Sequence, residues 1–129
     1  MQLSPLQRFN ESLIKLSVLL YQIDGKITLS EQDYLEQVIA ELSWQSPISI
    51  EAFTNDAIHQ ARVAVDHDES LAFIKAMVDD LNFDAEKVVE VAMGVTGIDG
   101  ERSVQETDIL RVLTHKYLAR ELTVQHSVA

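Results

Sequence analysis

The spacing of apolar residues constrains the fold of this chain more than any other feature. Near the N-terminus, apolar residues recur at alternating steps of three and four, which is the period of one face of an α-helix. The members of this stripe are Leu6, Phe9, Leu13, Leu16, Leu20 and Ile23. No stretch alternates apolar and polar residues for long enough to indicate a β-strand. With two prolines and four glycines in 129 residues, the sequence predicts an all-α protein.

Capping signals divide the chain into about six helices. The first helix is expected to end at Asp24-Gly25, and each later helix follows residues typical of a helix start. These starts are Thr28, Ser49, the acidic stretch Asp66–Glu69, Asp84 and Ser103. The residues predicted to face the core of the later helices are Leu35, Val38, Ile39, Leu42, Phe53, Ala57, Ala61, Leu71, Ile74, Met77, Val78, Leu81, Val88, Val91, Ala92, Val95, Leu110, Leu113 and Tyr117. We expect one domain over residues 1–129, with its core in 6–118 and a frayed tail at 121–129.

Charge and composition exclude several classes of function. Acidic residues outnumber basic ones 21 to 10, for a net charge of -11, which argues against nucleic acid and anionic membranes as partners. The absence of cysteine excludes disulfides, thiolate zinc sites and cysteine nucleophiles. The apolar runs are too short for a membrane span, and Met1–Phe9 lacks the pattern of a signal peptide. We therefore expect a cytoplasmic protein.

Two segments of the chain repeat one another at a distance of 75 residues. In both, Ile-Asp-Gly is followed by Glu, Asp and Leu at the same positions. The first copy is Ile23, Asp24, Gly25, Glu31, Asp33 and Leu35, and the second is Ile98, Asp99, Gly100, Glu106, Asp108 and Leu110. The predicted caps Thr28 and Ser103 also correspond. The repeat predicts two helix–Asp-Gly-loop–helix hairpins that flank a central pair of helices.

The repeated loop has part of the pattern of a calcium-binding EF-hand. An Asp-Gly pair with a Glu seven residues after the Asp matches the second half of such a loop. The first half would need ligands at Leu20 and Gln22 in one copy, and at Val95 and Gly97 in the other. None of these side chains is a carboxylate, so one loop alone cannot complete a shell of about six to eight oxygens. An EF-hand is excluded.

The two Asp-Gly loops resemble the loops of the TerB family. Each has a Glu seven residues after its Asp, and each lies between two amphipathic helices. These small helical domains are named after tellurite-resistance proteins and also occur at the N-terminus of DjlA-type co-chaperones. The resemblance covers residues 6–118 and implies a compact bundle of about six to seven helices, in a bacterial cytoplasm, with a role in stress response. It also implies a divalent-cation site. Carried over residue by residue, its ligands are Asp24, Glu31, Asp99 and Glu106.

These four residues have two alternative roles on physical grounds. If the hairpins pack with pseudo-twofold symmetry, four carboxylates face one another, and Ca²⁺ or Mg²⁺, rather than Zn²⁺, would relieve their repulsion. Alternatively, each Asp forms a turn and each Glu completes a capping box. The loops also differ at Arg102, which stands where the first loop has Ile27. An arginine there could pair with a carboxylate in place of a metal.

The sequence favours a non-enzymatic domain. There is no G-x-S-x-G elbow and no glycine-rich phosphate loop, and a hydrolase with paired carboxylates would need a deep pocket with convergent polar groups. The alternative to a cation-binding domain is a metal-free interaction module. In that case an acidic surface or an apolar groove receives a protein partner or a second copy of the chain.

Overall fold

The computed structural model describes residues 4–24, 29–97 and 104–114, and its regular elements in these ranges are all helices. The elements are α1 (Pro5–Asp24), α2 (Leu29–Ala40), α3 (Ile50–Asp66), α4 (Ser70–Lys75), α5 (Val78–Leu81), a 3-10 turn (Asn82–Asp84), α6 (Ala85–Gly97) and α7 (Val104–Val112). The predicted all-α class is confirmed. Within these ranges, no helix is long and apolar enough to cross a membrane.

Helix α1 lies at the centre of the domain, where it packs against α2, α3, α5, α6 and α7. Its burial extends well beyond the single stripe predicted from the sequence. Ile14 and Leu19, which lie outside that stripe, are fully buried, whereas Leu6, at its start, is 36% exposed. A helix that is covered on most of its sides needs apolar residues around most of its circumference. The predicted stripe was therefore too narrow, and its assignment of Leu6 to the core was wrong.

Two buried amide side chains on α1 hold the loop that joins α2 to α3. The backbone N–H of Gln45 donates to Gln7 Oε1 at 2.7 Å, and Asn10 Nδ2 donates to the carbonyl oxygen of Ser43 at 3.2 Å. Gln7 and Asn10 are only 1% and 2% exposed. Because an unpaired buried amide is costly, these bonds fix the path of the loop over the first turns of α1.

Two predicted helix starts are confirmed by side-chain hydrogen bonds. Ser49 Oγ accepts from the backbone N–H of Ala52 at 3.2 Å at the start of α3. Asp84 Oδ1 accepts from the backbone N–H of Lys87 at 3.2 Å at the start of α6. Both bonds satisfy an amide that has no partner within its own helix. The predicted caps Thr28 and Ser103 lie outside the described residues, as do Tyr117 and the predicted tail at 121–129.

The acidic stretch Asp66–Glu69 ends one helix as well as opening the next. Asp66 is the last residue of α3, and Asp68 has a positive φ of 56°, a conformation that Asp tolerates better than most residues. The helix that follows is broken, because Met77 has φ -107° and ψ 0°, away from helical values. Ile74 before the break and Leu81 after it are both fully buried, whereas Leu71 is 46% exposed. Leu71 lies in the first turn of α4, next to the exposed stretch Asp66–Glu69, and its predicted place in the core was wrong.

Candidate metal centre

The four residues predicted to bind a cation border the two Asp-Gly loops. Asp24 is the last residue of α1, Glu31 is the third residue of α2, and Glu106 is the third residue of α7. Asp99 lies outside the described residues, and so do the side chains of the other three. The direct interaction of the four carboxylates therefore stays a prediction. The surrounding helices show on which side of the domain the backbone of Asp24 and Glu31 lies.

Helices α2 and α6 run antiparallel to each other. The hydroxyl end of the Tyr34 side chain in α2 lies directly against Gly94 in the last turns of α6. A second contact joins Glu41, seven residues after Tyr34, to Lys87, seven residues before Gly94. Glu41 Oε2 lies 3.9 Å from Lys87 Nζ. Residue numbers that rise along one helix while they fall by the same amount along its neighbour indicate an antiparallel pair. The beginning of α2 therefore lies beside the end of α6.

Helices α1 and α6 run in the same direction. Near their N-terminal ends, the rings of Phe9 and Phe83 have centroids 5.6 Å apart, and Arg8 Nε lies 3.3 Å from Asp80 Oδ1. At the other end, four residues separate α1 from α2, which limits the gap to about 17 Å. Because the beginning of α2 lies beside the end of α6, α1 and α6 both end on this side of the domain.

The packing follows the symmetry of the sequence repeat. The first hairpin consists of α1 and α2, and the second of α6 and α7. Helix α2 packs against α6, and α7 packs against α1, so the second helix of each hairpin contacts the first helix of the other. The repeat equates Tyr34 with Ile109 and Gly94 with Leu19. Ile109 and Leu19 are both buried, at 7% and 0% exposure. The helix ends that border the first loop and the end of α6 that borders the second thus lie on one side of the domain.

The electrostatic character of this side favours a cation. A helix carries partial negative charge at its C-terminus, where the last carbonyl groups have no partner in the helix. Helices α1 and α6 both end here, and neither has a basic residue in its last turn. The two parallel helix ends therefore contribute negative potential on this side of the domain, whereas Lys26 and Arg102 add one positive charge to each loop sequence. The beginnings of α2 and α7 oppose part of this potential.

Tyr34 is one of the residues that link the two hairpins, and the pattern of apolar residues in α2 does not identify its partner Gly94. Burial of its hydroxyl raises the pKa of Tyr34, and the nearby carboxylates of Glu90 and Glu41 raise it further. The phenol therefore stays neutral at physiological pH. The available signal was Gly94, because an isolated glycine within a helical pattern often marks a close approach of another chain segment.

We expect Gly94→Ala to destabilise the domain, although alanine favours a helix by about 1 kcal/mol over glycine. A Cβ at position 94 would collide with the Tyr34 ring, whose Cε1 would lie 2.9 Å away. Overpacking of this kind costs about 1–3 kcal/mol, so the net loss should be about 1 kcal/mol. Urea unfolding followed by circular dichroism measures it.

The Tyr34→Ala background supplies the control for this substitution. With the ring removed, Gly94→Ala should stabilise the domain by about 1 kcal/mol, as expected from helix propensity alone. The effect of Gly94→Ala on the free energy of unfolding should therefore have opposite signs in the two backgrounds, with a coupling free energy of about 2 kcal/mol. Equal stabilisation in both would show that Tyr34 does not pack on Gly94, and the antiparallel register of α2 and α6 would be wrong.

No other group of acidic or histidine side chains in the described part of the chain offers a metal site. No cluster of three or more such side chains with suitable geometry occurs there. The four members of Asp66–Glu69 are all exposed. Trp44 is a packing residue: its ring lies against Phe53 with ring centroids 5.2 Å apart, and its Nε1 donates to the carbonyl oxygen of Ile48 at 2.8 Å.

Comparison with known proteins identifies a matching family. The model of the family described as "Tellurite resistance protein TerB" matches residues 10–121, which include both Asp-Gly loops and all four predicted ligands. No curated protein and no solved structure gives a significant match.

Proposed function

This chain belongs to the TerB family, and we propose that it is a non-catalytic helical domain that binds one divalent cation. The ligands in this proposal are Asp24, Glu31, Asp99 and Glu106. The observation that supports it best is the antiparallel packing of α2 on α6, marked by Tyr34 against Gly94 and by Glu41 near Lys87. In that packing, the end of α1, the beginning of α2 and the end of α6 lie on one side of the domain.

The chemistry of the donor set fits a hard cation. Four carboxylates supply oxygen ligands and negative charge, which Ca²⁺ and Mg²⁺ prefer. Zn²⁺ is disfavoured because the chain has no cysteine and the repeated motif contains no histidine. The C-terminal carbonyl groups of α1 and α6 are further oxygen donors on the same side. Water would complete a shell of about six to eight oxygens for Ca²⁺.

Isothermal titration calorimetry of chelator-treated protein tests this proposal. We expect Ca²⁺ or Mg²⁺ to bind with one ion per chain, and Zn²⁺ to bind more weakly or without saturation. Mn²⁺ serves as a probe, since it also accepts oxygen ligands and its paramagnetism reports the position of the site in NMR spectra. Absence of heat from all four ions at millimolar concentration would reject the cation site.

Arg102 is the residue of the second loop that competes with this proposal. An arginine beside a carboxylate can form a charge-assisted pair that replaces a bound cation. If Arg102 weakens the site, Arg102→Ile, which copies Ile27 of the first loop, should tighten Ca²⁺ or Mg²⁺ binding in the same calorimetric titration. A variant with unchanged affinity would show that Arg102 does not pair with a ligand.

The cellular part of the proposal rests on the family. We propose a cytoplasmic domain of a bacterial stress response, without any implied contact with tellurite itself. A metal-free interaction module is the second candidate, and one observation favours it: an open groove with an apolar floor lies between α2 and α3. Binding of a protein in that groove does not require the cation site, so the two functions can be tested separately.

A further inference from the structure

Helices α2 and α3 form the walls of an open groove, and a smaller cavity at one end of it reaches α1. The space between the walls is about 600 Å³, and it continues past Leu35 and Ile58 into about 240 Å³ over Val18 and Tyr21 of α1. Within the described residues, α2 packs mainly against α1 and α6, and α3 packs mainly against α1 and α4. No helix of the described ranges 4–24, 29–97 and 104–114 therefore lies between the facing sides of α2 and α3.

Both walls present the residue spacing of a helix that packs against another helix. The lining residues on each wall include positions i, i+3, i+4 and i+7, which form one face of an α-helix. They are Gln32, Leu35, Glu36 and Ile39 on α2, and Glu51, Thr54, Asn55 and Ile58 on α3. The apolar members are half-buried, and the charged and amide members are exposed at the rim. An apolar floor with a polar rim is the arrangement that receives an amphipathic helix.

The groove is formed before any partner binds. The loop between its two walls is held by Gln7 and Asn10 of α1 through the hydrogen bonds to Gln45 and Ser43. These bonds fix the end of α2 relative to the start of α3. A site with fixed walls loses little conformational entropy when it is filled.

The charges at the rim identify the kind of helix that fits. Glu36 on one wall and Glu51 on the other are exposed, and none of the described lining residues is Lys or Arg. We propose that the groove binds an amphipathic helix of a partner protein whose apolar stripe is flanked by Lys or Arg residues. A second copy of this chain would bring the same carboxylates and a net charge of -11, which opposes self-association.

The length of the groove sets the length of its partner. On α2 the lining extends from Gln32 to Ala40, or about 12 Å at 1.5 Å per residue. A partner helix of a little over two turns, at about 5.4 Å per turn, covers this distance. A labelled peptide of about 14 residues, or about four turns, spans the groove with about one turn to spare at each end. Its leucines stand at steps of three and four, with lysines on both sides of that stripe.

Fluorescence anisotropy of this peptide with the full chain tests the proposal. The control peptide carries glutamate in place of every lysine. We expect the lysine peptide to bind at least about tenfold more tightly than the glutamate peptide at low salt, and Glu36→Lys/Glu51→Lys to reverse that order. The matched control is Asp56→Lys/Asp66→Lys, which makes the same change of net charge at exposed positions of α3 outside the groove. This variant should still prefer the lysine peptide.

Four results would overturn the proposal. If neither peptide binds at millimolar concentration, the groove does not bind such a helix. An equal loss of preference in both double variants would show that only the net charge attracts the peptide. Tighter peptide binding by Lys116→Glu/Arg120→Glu, by about fivefold or more, would assign the groove to residues 115–129 of the chain itself. A peptide-sensitive dimer in analytical ultracentrifugation would assign it to a second copy.

Discussion

Replacing Leu19 with alanine should lower the free energy of unfolding by about 2–5 kcal/mol, because Leu→Ala in a closed core loses burial and leaves a cavity. Leu19 is 0% exposed in the central helix α1. Leu6→Ala, the same change in the same helix, should cost less than about 1 kcal/mol, since Leu6 is 36% exposed. The comparison is informative because the apolar spacing alone predicts the opposite order. In that pattern Leu6 belongs to the core stripe and Leu19 does not.

Chemical denaturation of the two variants and the parent chain measures this difference. The slope of unfolding free energy against urea should be the same in all three, which shows that the variants lose stability and not compactness. Similar losses for Leu6→Ala and Leu19→Ala, or a larger loss for Leu6→Ala, would contradict the central position of α1. The helix would then lie at the surface with one buried face.

The double variant Glu31→Gln/Glu106→Gln should fold like the parent and lose the stabilisation that a bound cation provides. A capping box accepts Gln as well as Glu, so the helix starts should survive with a loss of about 0.3–1 kcal/mol from the missing charges. A hard cation binds a neutral amide poorly. For the parent, linkage predicts about 2.7 kcal/mol of added stability at a free metal concentration about 100-fold above Kd. Thermal unfolding with and without Ca²⁺ or Mg²⁺ measures both effects.

The repeat itself supplies the control for this experiment. Asp33→Asn/Asp108→Asn also removes two carboxylates, each two residues further along the same helices, at positions where both side chains are exposed. This variant should keep the full metal-induced rise in melting temperature. If the glutamine variant shows the same rise as the parent, Glu31 and Glu106 are helix caps and not ligands. If both double variants lose it equally, the cation responds only to the net charge of the domain.

Part of the candidate site could be predicted without the structure. The repeat singled out Asp24, Glu31, Asp99 and Glu106, because each type of residue recurs at the same position in both copies. It could not show on which side of the domain the two loops lie, since that depends on how the hairpins pack. Tyr34 against Gly94 carries that information, and the two residues are far apart in the sequence. The direct interaction of the four carboxylates remains a prediction for the experiments above.

The sequence by itself determined the all-α class, the repeat and the helix starts at Ser49 and Asp84, because periodicity and capping act over a few residues of one chain segment. Only the tertiary structure decided which sides of α1 are covered, that α2 runs antiparallel to α6, and that a groove stays open between α2 and α3. The physical reason is that burial is a property of two surfaces. An apolar stripe indicates that a helix packs against another element. Which element it packs against depends on packing among segments that are distant in the sequence.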